Sequence, residues 1–256
     1  MDGISFDIRA DKIYGLLGRN GAGKTTVMQL LTAQCRHTTG NIDVFGMQPY
    51  ENRSALADIC FIGESQKFPD DFRVRHVLDC SARLLPRWDR DFADELMRDF
   101  DLPTTRKVKK LSRGMTSALG IVIGLASRAP LTFFDEPYLG LDAVARHMFY
   151  DRLLADYAEN PRTVILSTHL IDEVSDLIEH VLLIDKGRIV IDSDADELRR
   201  SAFVVSGTAS AVEQFVGGRA VLHRDSLGSL ARVSIDSALS LDERTRATAL
   251  GLGVEP

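Results

Sequence analysis

Cysteine is scarce: Cys35, Cys60 and Cys80 are the three in 256 residues. They are odd in number and lack C-x-x-C spacing, which excludes a disulfide framework or a cysteine zinc site and fits a reducing cytoplasm. Positive charge is also short. With 31 Lys and Arg against 37 Asp and Glu, the net charge is −6, which argues against a nucleic-acid binder relying on general phosphate attraction. The basic run Arg106, Lys107, Lys109 and Lys110 reads as a solvated loop. Long apolar runs are missing as well. The most apolar stretch, Leu119 to Ala126, is too short to span a bilayer, and MDGISFDIRAD lacks the basic and apolar regions of a secretion leader. A membrane, if one is involved, is reached through a partner. No repeat or low-complexity tract occurs. What remains is an ordinary globular composition, 45% hydrophobic and 27% charged, long enough for one large domain or a domain with an appendage.

The most informative stretch is Gly18 to Thr26, GRNGAGKTT, between the apolar run Ile13 to Leu17 and the helix-like Val27 to Ala33. The pattern G-x-x-x-x-G-K-[ST] sets Gly18, Gly21 and Gly23 where the backbone bends around an anion, because a Cβ would block the approach or the positive φ angles. Arg19, Asn20, Ala22 and Thr26 complete the loop. A helix starting near Lys24 adds the positive end of its dipole, Lys24 can reach β- and γ-phosphates, and Thr25 can offer a hydroxyl to Mg²⁺.

Along the chain, Ile4, Phe6 and Ile8 alternate with polar residues as a half-buried strand, and Ile13 to Leu17 is a buried one. Gly40 to Gly46 and Ile59 to Gly63 read as further strands. From Arg73 to Leu102 the period becomes helical: two amphipathic helices part near Pro86, and Trp88 packs in the core beside an N-cap at Asp89. A buried helix starts after Ser112 and stops before Pro130. Leu131 to Phe134 is a buried strand, Asp142 to Ala158 a helix with Val144, Met148 and Leu154 inward, and Thr163 to Leu166 a strand. Glu173 to Ile178 is a short helix, and Val181 to Ile191 a hairpin around Lys186-Gly187. Strands alternating with helices give an α/β fold with a parallel-rich sheet.

Near Arg199 to Ser201 the texture shifts to short segments rich in Gly, Ser and Val. The expected division is therefore 1–200, with a helical subdomain at about 73–128, and a small α+β accessory domain at 201–256. Strands are expected at Phe203 to Val205, Ala220 to His223 and Ala231 to Ile235, and helices at Ala211 to Val216 and Leu241 to Leu250. About 55 residues is marginal for independent folding, so this tail is expected to pack on the main domain.

Asp135 and Glu136 end the strand Leu131 to Phe134, where α/β sheets place ligands. Beside a phosphate loop, Asp135 can hold Mg²⁺ through water and Glu136 can polarise a water for attack on the γ-phosphate. At this point the chain resembles the ATP-binding subunits of bacterial ABC transporters, from about Gly3 to Glu197. The resemblance adds Leu111-Ser112-Arg113-Gly114-Met115 at the LSGGQ signature, Leu139-Gly140-Leu141-Asp142 at the D-loop, and Ser167-Thr168-His169 at the switch histidine.

The resemblance implies a P-loop NTPase core of ABC type that binds ATP and Mg²⁺. It implies a second cassette, joined head to tail, with Ser112 and the amide of Gly114 completing the partner's γ-phosphate site and Asp142 coupling the two sites. His169 and Glu136 would orient the attacking water. A separate membrane permease, contacted through the helical insert and the loop from Phe61 to Phe72, would place the subunit in the cytoplasm at the inner face of the membrane. Export is favoured. The alternatives are a soluble ABC-type switch, opposed by the single cassette and the absence of basic excess, and a non-hydrolysing regulatory module, opposed by Glu136 and His169.

The chain departs from the family's pattern in three places. Arg113 and Met115 stand where Gly and Gln are commonest. Strand spacing puts Glu64 at the Q-loop position, as a further Mg²⁺ ligand, with Gln66 two residues on as the alternative. The stacking aromatic that relatives carry about two dozen residues before the loop has no counterpart, since Phe6 and Tyr14 are too near it; weak ATP binding with little base preference is expected.

Overall fold

A parallel sheet organises the first of two units, Met1–Asp192 and Ser193–Pro256. The computed structural model describes residues 1–64 and 66–255; Ser65, inside the expected contact loop, and Pro256 lie outside the described residues. The strands are β1 (Ile13–Leu17), β2 (Ile59–Ile62), β3 (Leu131–Asp135), β4 (Thr163–Thr168), β5 (His180–Asp185) and β6 (Arg188–Asp194), in the order β2-β3-β4-β1-β5-β6. Every residue of β1, β3 and β4 is buried, as apolar runs in a sheet covered on both faces must be. The pairs β2·β3, β3·β4, β4·β1 and β1·β5 are parallel. The hairpin into β6 turns through Lys186 (φ 46°) and Gly187 (φ 77°), the paired positive φ angles of a type I′ turn.

Helix α1 (Lys24–Leu31) follows β1, and the short α2 (Arg53–Ala57), which the sequence pattern did not reveal, precedes β2. Between β2 and β3 come α3 (Val74–Leu84), α4 (Arg90–Asp99), a short 3-10 turn and α5 (Arg113–Ala126). Asp89 caps α4 by accepting from Phe92 N at 3.0 Å; Trp88 before it is half-buried rather than core. The C-terminal part of α5 is buried from Ala118 to Ala126. Gly124 lies so close to Phe134 and Ile62 that no Cβ fits, so the helical insert meets the sheet tightly at its β2–β3 edge.

Several expectations change. Ile4, Phe6 and Ile8 do turn toward the core while Ser5, Asp7 and Arg9 face water, yet 3–9 is not a strand. Alternation specifies which side faces inward; a strand also needs a neighbour for its amides and carbonyls. Gly40 to Gly46 likewise gives only a tight turn, Val44 and Met47 exchanging bonds of 2.8 and 3.0 Å around Phe45 and Gly46. In α6 (Ala143–Glu159) the buried residues are Phe149, Tyr150, Leu153 and Asp156, whereas Val144 is 72% and Leu154 42% exposed. Two faces of that helix carry apolar residues, and the aromatic one wins the interior. The short helix α7 spans Ile171–Val174 rather than Glu173 to Ile178.

The division falls after Asp192 rather than at 200/201, so α8 (Ala195–Ser201) joins the second unit. That unit continues β7 (Phe203–Thr208), α9 (Ala209–Val216), β8 (Val221–Leu227), β9 (Leu230–Ile235), α10 (Leu241–Ala249) and β10 (Gly253–Glu255), the last not foreseen. The sheet order is β10-β7-β9-β8, with every pair antiparallel. This βαββαβ arrangement is the ferredoxin-like topology. It has its own core of Phe203, Val205, Val212, Phe215, Val233, Ile235 and Ala247.

Candidate active site

The phosphate loop leaves β1 at Gly18 (φ 150°), where an added Cβ would collide with the Ile184 carbonyl. It passes Gly21 (φ 80°) and enters α1 at Gly23 (φ 115°). No side chain caps α1, so its first amides are available to an anion. Ala22 is buried, and its carbonyl accepts Gly187 N at 2.9 Å, which ties the loop to the β5–β6 turn. Arg19, Asn20, Gly21 and Ala22 line a cleft of about 660 Å³ with His169, Asp185 and Lys186. Thr26 is exposed on α1. The sequence marks Lys186 as a hairpin turn but places neither Asp185 nor Lys186 beside the loop, since a hairpin turn carries no signal for a distant loop.

Lys24 is 6% exposed; its Nζ donates to Gly18 O at 2.8 Å and lies 3.3 Å from Glu136 Oε1. Thr25 Oγ1 donates to Asp135 Oδ2 at 2.7 Å. The sheet order makes these meetings. β3, β4 and β1 are neighbours, with Asp135 opposite Ser167 and Leu17 opposite Thr168, so loop, carboxylates and histidine leave the same end of three adjacent strands. Ser167 Oγ donates to Asp135 Oδ1 at 2.6 Å and accepts from Glu136 N at 3.0 Å. This fixes the two acidic residues relative to each other, and Glu136 sits in the left-handed region at φ 48°.

Glu136 Oε2 accepts from Tyr138 OH and lies 2.8 Å from His169 Nδ1. Tyr138 is almost fully buried. Burial, then its hydrogen bond to the Glu136 carboxylate, push the phenol well above its ordinary range, so it is a donor at neutral pH. The sequence marked Glu136 and His169 but not Tyr138, because nothing in Pro137-Tyr138-Leu139 announces a fold-back toward the next strand.

The signature lies at the start of α5. Ser112 caps that helix, its Oγ accepting from Met115 N at 3.1 Å. Gly114 packs against the Gly140 carbonyl so closely that a Cβ would clash, and Ser117 Oγ donates to Leu139 O at 2.6 Å. Signature and D-loop are therefore one packed edge. Asp142 caps α6, accepting from Ala145 N at 2.8 Å. Glu64 is exposed, and its recorded partner is Arg113, at 3.6 Å; the structure brings Thr25 and Asp135 together but not Glu64 with them. Gln66 Oε1 accepts from Gly63 N at 3.1 Å. Glu64, Gln66 and Arg113 border a recess of about 240 Å³ that shares no lining residue with the first cleft.

Comparison with known proteins gives the family. The family model described as ABC transporter matches residues 1–139, and one described as AAA domain, putative AbiEii toxin, Type IV TA system, matches 104–176. The ABC transporter ATP-binding protein YtrB of Bacillus subtilis is 29% identical over 77% of this chain and 67% of its own length. The bacitracin transport ATP-binding protein BcrA of Bacillus licheniformis is 30% identical over 78% and 66%. The chain thus spans about two thirds of the length of these relatives. Among solved structures, an ATP-binding subunit of an ABC transporter superposes with TM-score 0.69 at 23% identity, over 77% of this chain and 84% of that one. A dimeric ATP-binding cassette bound to ADP and Pi superposes at 0.65 and 18% identity, over 75% and 89%; at such identities the likeness concerns the fold. With the family model covering more than half of the residues, the chain belongs to the ABC transporter family, as one of its ATP-binding cassettes of the ATPase class.

Proposed function

We propose that this cassette binds Mg²⁺ and ATP at the phosphate loop, hydrolyses the γ-phosphate bond, and uses the cycle to drive export of a substrate through a separate membrane permease. One observation carries the reading: three adjacent strand ends gather Lys24, Thr25, Asp135, Glu136 and His169 beside a glycine loop that enters a helix with no side-chain cap. The donor set suits Mg²⁺. Among the described residues no group of His, Cys, Asp and Glu could hold a metal alone, and Mg²⁺ in nucleotide sites is usually shared between one or two protein oxygens, water and phosphate. Thr25 and Asp135, already in contact, supply that share. They would hold the ion, which would offset the charge of the phosphates.

Lys24 and Glu136 form a buried ion pair in the chain as it stands. A γ-phosphate is the stronger partner for the ammonium, so ATP takes Lys24 and leaves Glu136 Oε1 to accept from water. Glu136 then orients that water, and His169, 2.8 Å from the carboxylate, faces the cleft beside the phosphate loop. Ser112 and Gly114 would serve the site of a second cassette, with Asp142 linking the two. Export is supported by relatives named for Nod factor export and daunorubicin resistance. No helix among the described residues is long and apolar enough to cross a membrane, so passage of the substrate falls to the permease. The test is Glu136→Gln: ATP binding should persist while hydrolysis slows by at least ~100-fold, the scale for losing a general base. Unchanged turnover would overturn the assignment.

A further inference from the structure

We propose that Tyr138 is a positioning residue for hydrolysis: one buried hydroxyl anchors a single oxygen of Glu136 and holds His169 to it, leaving the other carboxylate oxygen for the attacking water. This rests on the reading of Glu136 as the group that orients that water. The hydrogen-bond inventory of the phenol makes the case. A tyrosine oxygen has one proton to give and can accept two. Thr168 Oγ1 donates to it at 2.9 Å and His169 N at 3.2 Å. Thr168 Oγ1 is itself set by accepting from Leu170 N at 2.8 Å, so its proton is free to point at the phenol. With both acceptor sites taken, the phenolic proton goes to Glu136 Oε2.

His169 Nδ1 lies 2.8 Å from the same oxygen and 3.2 Å from the phenol, and the two rings meet edge-on with centroids 5.8 Å apart. Oε2 is thus fastened from two sides. Oε1 faces Lys24 at 3.3 Å and has no other hydrogen-bond partner among the described residues. Once a phosphate draws Lys24 away, Oε1 is freed while Oε2 stays anchored. The carboxylate therefore cannot swing with its released oxygen, and it carries His169 in fixed register. Tyr138 is 2% and Thr168 0% exposed, so water does not replace either.

The experiment is steady-state ATP hydrolysis with Tyr138→Phe in the full chain, in parental and Glu136→Gln backgrounds. The ring contact with His169 survives and only the hydroxyl goes. Hydrolysis should fall about tenfold in kcat, with KM and ATP affinity within about twofold, since misplaced groups cost rate rather than binding. In the Glu136→Gln background the same change should alter the residual rate by less than about twofold, because both act through one carboxylate. Thr168→Val, which removes one donor and keeps the phenol, should lower kcat by a smaller factor; it replaces Tyr138→Phe as the probe if that variant melts below the assay temperature. Parental kcat in Tyr138→Phe, or equal losses in both backgrounds, would overturn the inference alone. Full activity in Glu136→Gln would overturn it together with the reading on which it rests.

Discussion

Two helices of the first unit start at glycine-bearing turns, and they start differently. α1 begins at Gly23 in the left-handed region with no side chain on its amides. α5 begins at Ser112 in extended conformation, and Ser112 satisfies Met115 N itself. Around the first start stand Lys24, Thr25 and the Asp135–Glu136 pair, already linked to one another. Around the second are Gly140, Leu139 and Arg113, the last beside Glu64. An uncapped helix start leaves its amides to an anion, whereas Ser112 occupies the Met115 amide by accepting from it, a bond that does not use the serine's own O–H. The phosphate loop is thus built to bind within one chain. The start of α5, by contrast, is capped by its own chain.

That contrast breaks first at Lys24. Lys24→Ala removes a charge-assisted contact, ordinarily ~1.5 to 3 kcal/mol, so ATP affinity should fall by roughly 10- to 150-fold in a fluorescent-nucleotide titration. A loss under about threefold would mean that the loop amides hold the phosphates unaided. The signature should behave in the opposite way. In the Glu136→Gln background, ATP is expected to convert monomer to dimer by light scattering, and adding Ser112→Arg should abolish this while ATP affinity stays within about twofold. Equal dimerisation of the double variant would show that Ser112 does not face a partner. The smallest effect belongs to Asp142, whose cap of α6 is worth ~1 kcal/mol on the usual scale for such residues. Asp142→Ala should cost that much in urea unfolding, and no change would show that its carboxylate is held for another purpose.

The amino-acid sequence by itself determined the conformations that depend on neighbours in the chain. Gly18, Gly21 and Gly23 take the positive φ angles their missing Cβ permits. Asp89, Ser112 and Asp142 cap the helices that follow them. Lys186-Gly187 makes the hairpin turn, and apolar runs became buried strands. These are short-range effects of backbone sterics and of side chains reaching two or three residues along. Only the tertiary structure decided the rest. Lys24 meets Glu136, Ser167 bridges Asp135 and Glu136, and Tyr138 joins Glu136 to His169 because β3, β4 and β1 lie side by side in one register. Glu64, placed at the Q-loop position by strand spacing, lies beside Arg113. The segment 3–9 kept its alternation but lacks a strand neighbour, and α6 turned its aromatic face inward. Local spacing cannot specify which strand lies next to which, or which of two apolar faces the core will take; those depend on the packing of the whole sheet and its helices.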